Sequence, residues 1–171
     1  MRKVILPVII GLVFAAGMAR EMKIAYFSSD KLREEWGEWK DAQAKFDQDV
    51  ALWQEEAQNM ETEIASLMEE YQRQELLLSE DKRREKEMLI QQKQLEYQQF
   101  LTNIFSEDGK AAQRNAELTS PLHDQISRTL SRMADRDEYT VIFDVAAIGI
   151  AYIDPSLDIT DDLLNELKTG Q

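Results

Sequence analysis

Apolar side chains recur through residues 39–71 in steps that alternate between four and three residues from Phe46 onward. This period is typical of a coiled-coil seam, in which one stripe of a helix faces a second helix. The seam consists of Trp39, Phe46, Val50, Trp53, Ala57, Met60, Ile64, Leu67 and Tyr71. Gly37, near its start, costs a helix about 1 kcal/mol relative to Ala and is a candidate for a bend. We predict one long helix over residues 31–78.

A second helix is predicted to begin at Ser79. The Ser79 hydroxyl suits an N-cap, and Glu80 and Asp81 suit the positive end of a helix dipole. A weaker apolar stripe follows, through Ile90, Tyr97, Leu101, Ile104, Ala111, Leu118 and Leu122. Two helices joined by so short a turn can only lie antiparallel. At Pro121 we expect a kink, with a new helix as the alternative, and we expect helix to continue to residues 135–137.

Three other segments, residues 23–27, 140–143 and 149–153, are short and rich in β-branched and aromatic residues. They are typical of strands. A turn is expected at Asp154-Pro155, followed by a last short helix capped by Thr160. The predicted class is therefore α+β. A long antiparallel helical hairpin, residues 31–135, stands on a small three-stranded body formed by residues 20–30 and 136–171.

The strands of this body are apolar on both faces, since Ile24 and Tyr26 alternate with Ala25 and Phe27. The base of the hairpin can cover only one face. A body of about fifty residues rarely supplies a sufficient core alone. The pattern therefore predicts self-association, with Tyr26, Val141 and Phe143 at or near the subunit contacts.

The N-terminus has the pattern of a signal peptide. A basic start precedes an apolar run over residues 4–16, which is too short for a membrane span, and small residues follow. We expect residues 1–19 to be removed, leaving a single mature domain over residues 20–171. Cleavage after Gly17 and an uncleaved anchor are the alternatives.

The charge is strongly negative, with 20 basic and 33 acidic residues and a net of −13. Removing the two basic residues of the signal peptide gives −15. This balance argues against nucleic acid as a partner. Residues 31–78 carry 5 basic and 13 acidic side chains, whereas residues 80–120 carry 7 and 8. We therefore expect an acidic first arm opposed to a more basic start of the second.

The order of signal peptide, strand, long hairpin and β tail resembles the Skp/OmpH family of periplasmic chaperones over the whole mature chain. The segments that carry the likeness are Lys23-Ile24-Ala25-Tyr26-Phe27, Pro121-Leu122, Tyr139-Thr140-Val141-Ile142-Phe143-Asp144, Ala151-Tyr152-Ile153-Asp154-Pro155 and Asp158-Ile159-Thr160-Asp161-Asp162-Leu163-Leu164. The resemblance implies a periplasmic homotrimer with a shared β body and three projecting hairpins. Unfolded outer-membrane proteins would be held in the cavity between them, without ATP. The acidic charge departs from the better-known basic members.

Catalytic constellations are not evident in the sequence, which has one histidine, no cysteine and no Walker motif. We expect no enzyme activity and no cofactor or metal. His123 is interpreted as structural and solvent-facing. The alternative to a chaperone is a structural coiled coil of the envelope that tethers or spaces one fixed partner.

Two groups of residues are candidates for contacts with clients. On the arms, Trp36, Met68 and Met88 offer apolar contacts, although packing between the helices is the preferred explanation for the methionines. At the hairpin tip, a basic cluster adjoins three leucines and could touch clients or weakly touch an anionic membrane surface. These tip residues are Leu76, Leu77, Leu78, Lys82, Arg83, Arg84 and Lys86. Ion pairs Glu80–Arg84 and Arg83–Glu87 are the alternative use of the cluster.

Overall fold

The computed structural model describes residues 22–170 of the chain. The predicted signal peptide, residues 1–19, lies outside the described residues. The elements in chain order are β1 (Ile24–Phe27), α1 (Ser29–Glu35), α2 (Gly37–Gln74), a 3-10 turn (Glu75–Leu77), α3 (Glu80–Phe105), α4 (Lys110–Asp137), β2 (Val141–Asp144), a 3-10 turn (Pro155–Leu157) and α5 (Thr160–Thr169). In the part described, no helix is both long enough and apolar enough to cross a membrane.

The first arm consists of two helices where the sequence predicted one. Trp36 has an extended backbone, with φ −85° and ψ 121°, and separates α1 from α2. Gly37 is the first residue of α2, so the bend expected there lies one residue earlier. The arm also ends sooner than predicted, because the α-helix stops at Gln74 and gives way to a 3-10 turn.

The predicted seam is confirmed, since every one of its nine residues on the first arm is buried or half-buried. Cross-arm ion pairs fix the direction of the second arm. Glu63 lies 2.9 Å from Lys93, and Glu70 lies 2.8 Å from Lys86. Seven residues forward along α2 thus correspond to seven residues backward along α3. The two arms are antiparallel, with acids of the first facing bases of the second.

The turn between the arms also follows the prediction. The Ser79 hydroxyl oxygen accepts the backbone N–H of Lys82 at 3.4 Å, and α3 begins with Glu80 and Asp81. Acidic side chains in a first turn interact favourably with the helix dipole. The cap therefore sets the position of the hairpin tip.

The second arm is interrupted between Phe105 and Lys110, which the sequence analysis did not predict. A Cβ at Gly109 would lie 2.5 Å from the Ile104 carbonyl oxygen, so only glycine allows the chain to approach itself this closely. Helix is continuous through Pro121, as expected, and α4 ends at Asp137.

The sheet has two strands, not the three predicted. Strands β1 and β2 are parallel, and Tyr26 stands opposite Phe143. The third predicted strand, residues 149–153, forms no ladder in the described chain. The other edge of β1 is occupied by the tail, because Tyr26 bridges to Asp158 and its carbonyl oxygen accepts the N–H of Ile159 at 2.9 Å. This edge of β1 is therefore not available to residues 149–153.

The core lies where the base of the hairpin meets the sheet and α5. Its buried members are Ala25, Phe27, Leu32, Trp36, Trp39, Ile126, Met133, Ile159, Leu163, Leu164 and Leu167. Thr160 begins α5 but does not cap it with its own side chain. Instead Asp158 accepts the backbone N–H of Thr160 at 2.8 Å, while the Thr160 hydroxyl oxygen accepts the N–H of Ser28 at 3.0 Å. The tail is thereby held against the start of the first arm.

Candidate functional site

Large apolar side chains are exposed along both arms of the hairpin. On a helix whose buried stripe already faces its partner, such residues are free to contact something else. They are Leu52, Met68, Met88, Leu89, Leu95 and Phe105. Met68 and Met88 had been selected from the sequence as arm contacts, and the structure places both at the surface. Met68 lies beside the seam rather than in it, so packing between the arms does not account for its position.

The tip of the hairpin is the most exposed apolar part of the chain described. Leu76 is 96% exposed and Leu77 is 87% exposed, whereas Leu78 is half-buried against the turn. Lys82 and Arg84 are exposed beside these leucines. An apolar pair next to exposed cations is the composition that favours the surface of an anionic membrane.

The basic cluster at the tip divides into two parts. Lys86 forms its ion pair with Glu70 of the first arm at 2.8 Å and therefore belongs to the packing of the hairpin. Lys82 pairs with Glu85 on the outer surface of α3. The expected pairs Glu80–Arg84 and Arg83–Glu87 do not form, and among residues 22–170 neither arginine takes part in an ion pair.

A groove lies between the arms just below the tip, with a volume of about 380 Å³. Its lining residues are Met68, Tyr71, Gln72, Glu75, Glu87, Ile90 and Gln91. The Tyr71 hydroxyl donates a hydrogen bond to the Glu87 carboxylate across the arms. This bond, with burial as the second cause, raises the pKa of Tyr71 to about 12. Tyr71 therefore keeps its proton at neutral pH, and its hydrogen bond joins the two arms at the groove.

Trp36 does not lie on an arm surface, which corrects its assignment as a client contact. Its side chain is fully buried in the core beneath the hairpin. Leu32, Trp36 and Trp39 follow one another at spacings of four and three, a sequence pattern typical of a buried face that could have indicated this burial, although Trp36 itself lies between α1 and α2. Trp39 packs edge-on against His123, with ring centroids 5.3 Å apart. His123 is exposed and structural, as interpreted from the sequence.

The family model of OmpH-like outer membrane proteins matches residues 23–167, nearly all of the chain described. The chain belongs to the OmpH-like family. This confirms the resemblance inferred from the sequence. The fold of this OmpH-like chain is similar to the crystal structure of a candidate outer membrane chaperone (OmpH-like) from Caulobacter crescentus CB15, with a TM-score of 0.73 and 14% identity. The match covers 100% of this chain and 91% of that one. No curated protein matches the sequence significantly.

The body of the OmpH-like chain exposes apolar residues beside its small sheet. Of the residues expected at subunit contacts, Tyr26 and Val141 are half-buried and Phe143 is 36% exposed. The segment after β2 adds Ile148, Ile150 and Tyr152, of which Tyr152 is 82% exposed. Residues 149–153 of this segment are predicted as a third strand, so the sequence pattern does not indicate this exposed surface.

Proposed function

We propose that this OmpH-like protein is an ATP-independent holding chaperone of the periplasm that binds unfolded outer-membrane proteins between its helical arms. The observation that carries the proposal is a long hairpin of the OmpH-like family with exposed apolar side chains on both arms. The Caulobacter crescentus protein of similar fold is described as a candidate outer membrane chaperone, which agrees with the proposal. Export through the predicted signal peptide accounts for the compartment.

The working form in this proposal is a homotrimer. Support comes from Phe143, Ile150 and Tyr152, which leave apolar surface in water beside a sheet of only two strands. Burying such surface stabilises a complex by about 25 cal/mol per Å². Two neighbouring copies would cover it and would give residues 149–153 the strand partner that they lack within one chain. Three hairpins would then surround one cavity.

Holding requires no covalent chemistry in this mechanism. Leu52, Leu95 and Phe105 offer separate apolar contacts along the arms. Each contact is weak, but several arms acting on one chain give useful avidity while every contact remains easy to release. The net charge of −15 expected after removal of the signal peptide keeps the complexes apart and solvated. Client recognition is therefore broad.

The decisive experiment dilutes a urea-denatured outer-membrane barrel protein into buffer with the purified chain and follows light scattering. We expect scattering to be suppressed once there is about one trimer per client, to the same extent with and without ATP. Unchanged scattering would contradict the proposal and favour a structural coiled coil with one fixed partner. Native mass spectrometry of the same sample measures the oligomer, and monomer alone at micromolar concentration would contradict the trimer.

A further inference from the structure

The two flanks of the hairpin seam differ near the tip. On one flank, Glu63 and Glu70 stand seven residues apart and reach Lys93 and Lys86 across the seam, at 2.9 and 2.8 Å. Lys86 and Lys93 are half-buried in these pairs. The charges on this flank are thus matched within the hairpin, and the ion pairs close the space between the arms.

The other flank is open. Met68 and Glu75, again seven residues apart, face Glu87 and Gln91 of α3, and here the arms leave the groove of about 380 Å³. Met68, Ile90 and the ring of Tyr71 supply its apolar lining, here called the floor, and the other lining residues are acids and amides. Met68 is 41% exposed. Apolar side chains combined with polar groups that fix orientation are the usual composition of a binding pocket.

The two carboxylates of the groove have no cation of their own. Within residues 22–170, neither Glu75 nor Glu87 forms an ion pair, in contrast to Glu63 and Glu70 on the opposite flank. Glu87 accepts the Tyr71 hydroxyl, and a carboxylate retains further acceptor capacity after one such bond. Glu75 and Glu87 also line a second recess on the tip side together with Arg83 and Arg84, but within residues 22–170 neither arginine forms an ion pair with them.

Resting on the holding function proposed above, we propose that this groove binds segments of unfolded protein in which an apolar side chain stands next to a Lys or Arg. The apolar side chain occupies the floor between Met68 and Ile90, and the cation pairs with Glu75 and Glu87. The volume suits one or two side chains, not a folded surface. The negative net charge of the chain, −13, also attracts cationic segments and so adds to the attraction by Glu75 and Glu87.

The test uses the purified protein and three fluorescent, unstructured ten-residue peptides. The first contains a Leu-Lys pair in a Gly/Ser background, the second replaces Lys by Glu, and the third replaces Leu by Ser. Fluorescence anisotropy at low salt should show the Leu-Lys peptide binding about tenfold more tightly than either of the others. Equal affinity for the Lys and Glu peptides would overturn the inference.

Variants locate the binding. The double variant Glu75→Gln/Glu87→Gln keeps the shape of both side chains and should weaken Leu-Lys binding at least about fivefold. The matched control, Glu55→Gln/Glu56→Gln, removes the same two charges from exposed positions on α2 outside the groove and should change the affinity less than twofold. An equal loss in the control would assign the preference to the general field of the protein and contradict a groove site.

A probe in the groove gives a readout independent of charge. The sequence has no cysteine, so a single Gln72→Cys in the groove lining can carry an environment-sensitive dye, with the exposed Asn59→Cys on the same helix as its control. The Leu-Lys peptide should shift the emission of the dye at residue 72 and not at residue 59. The same shift at both positions, or at neither, would overturn the site.

The outcomes separate this inference from the holding function. Suppression of barrel aggregation with no peptide discrimination would contradict the groove site and leave the holding function intact. Discrimination between peptides with no suppression of aggregation would contradict the holding function and leave the groove as a peptide site.

Discussion

The Lys86 ammonium nitrogen lies 2.8 Å from a carboxylate oxygen of Glu70, across the seam of the hairpin and 16 residues away in the sequence. Glu63 and Lys93 repeat this relationship at 2.9 Å two turns further from the tip. A shift by one heptad would keep the apolar seam but retain only one of the two ion pairs, since Glu70 would then face Lys93 or Glu63 would face Lys86. We infer that the two ion pairs together favour the observed register of the arms.

Reversing one partner of this pair should destabilise the hairpin, and reversing both should restore it. Glu70→Lys sets two like charges against each other, so we expect the thermal unfolding midpoint to fall by about 2–4 °C. Combining it with Lys86→Glu should recover at least half of the loss. Circular dichroism melts measure both. Glu55→Lys, an exposed acid on the same helix with no ion pair, is the control and should change the midpoint by less than about 1 °C.

The Glu70–Lys86 ion pair should make the stability of the hairpin depend on pH. The hydrogen bond and charge of Lys86 hold the pKa of Glu70 below its ordinary value of 4.5. A carboxyl whose pKa is lowered by folding stabilises the folded state above its unfolded pKa and loses that contribution as the pH falls through its folded pKa. The difference in unfolding midpoint between the wild type and Glu70→Gln should therefore be largest near pH 7 and disappear in strong acid. A difference that persists below the folded-state pKa would contradict the assignment.

Replacing two glycines of the arms by alanine should change the free energy of unfolding in opposite directions. At Gly109 a Cβ would lie 2.5 Å from the Ile104 carbonyl oxygen, so Gly109→Ala should cost about 1–3 kcal/mol of unfolding free energy. At Gly37 a Cβ meets nothing within 4 Å and the residue opens α2, so Gly37→Ala should stabilise by about 0.4–1 kcal/mol. Urea denaturation measures both changes. Equal effects would show that the break before α4 is not maintained by steric contact.

Trp36 should matter for stability and not for client contact. Its side chain is fully buried, so Trp36→Ala should cost about 3–5 kcal/mol, whereas Trp53→Ala, half-buried in the seam, should cost less. The indole N–H of Trp36 has no hydrogen-bond partner within the described chain, so Trp36→Phe removes an unsatisfied donor and should be milder than its lost volume suggests. Urea denaturation of the three variants measures the loss of unfolding free energy in each and so ranks them.

The exposed tip allows function to be changed without changing the fold. Leu76→Ser/Leu77→Ser and Lys82→Glu/Arg84→Glu alter side chains that stand in water, while Lys86 is retained because it joins the arms. If the tip touches an anionic membrane surface, each variant should lose at least about tenfold in binding to anionic vesicles, measured by co-sedimentation.

Leu52→Ser, another exposed leucine on the first arm, is the control for the tip variants and should bind vesicles as the wild type does. The melting temperature should stay within about 2 °C in all of these proteins. Unchanged vesicle binding by the tip variants would contradict a contact between the tip and an anionic membrane.

The heptad seam, the cap at Ser79 and the antiparallel arms could be predicted because a periodic apolar pattern and a short capped turn are both visible in the sequence. The break before Lys110 could not be predicted from the same pattern. Ile104 and Ala111 keep the heptad spacing of seven across it, so the apolar period continues while the helix does not. The apolar period indicates which residues face the other arm of the hairpin. It does not indicate whether the backbone between those residues is helical.

Contacts between residues distant in sequence decided the remaining features of the fold. The partner of β1 on its second edge is the Asp158–Ile159 segment rather than residues 149–153, and both segments carry apolar residues that local patterns cannot rank. Trp36 is buried because it belongs to a core shared by the sheet, α4 and α5, and the groove beside Met68 lies on the flank where, among the described residues, Glu75 and Glu87 form no ion pair. The sequence by itself therefore determined the apolar seam and the antiparallel pairing of the arms, which follow from a periodic pattern and a short turn. The tertiary structure alone decided which apolar and charged side chains remained without a partner, because that depends on how distant segments compete for the same surface.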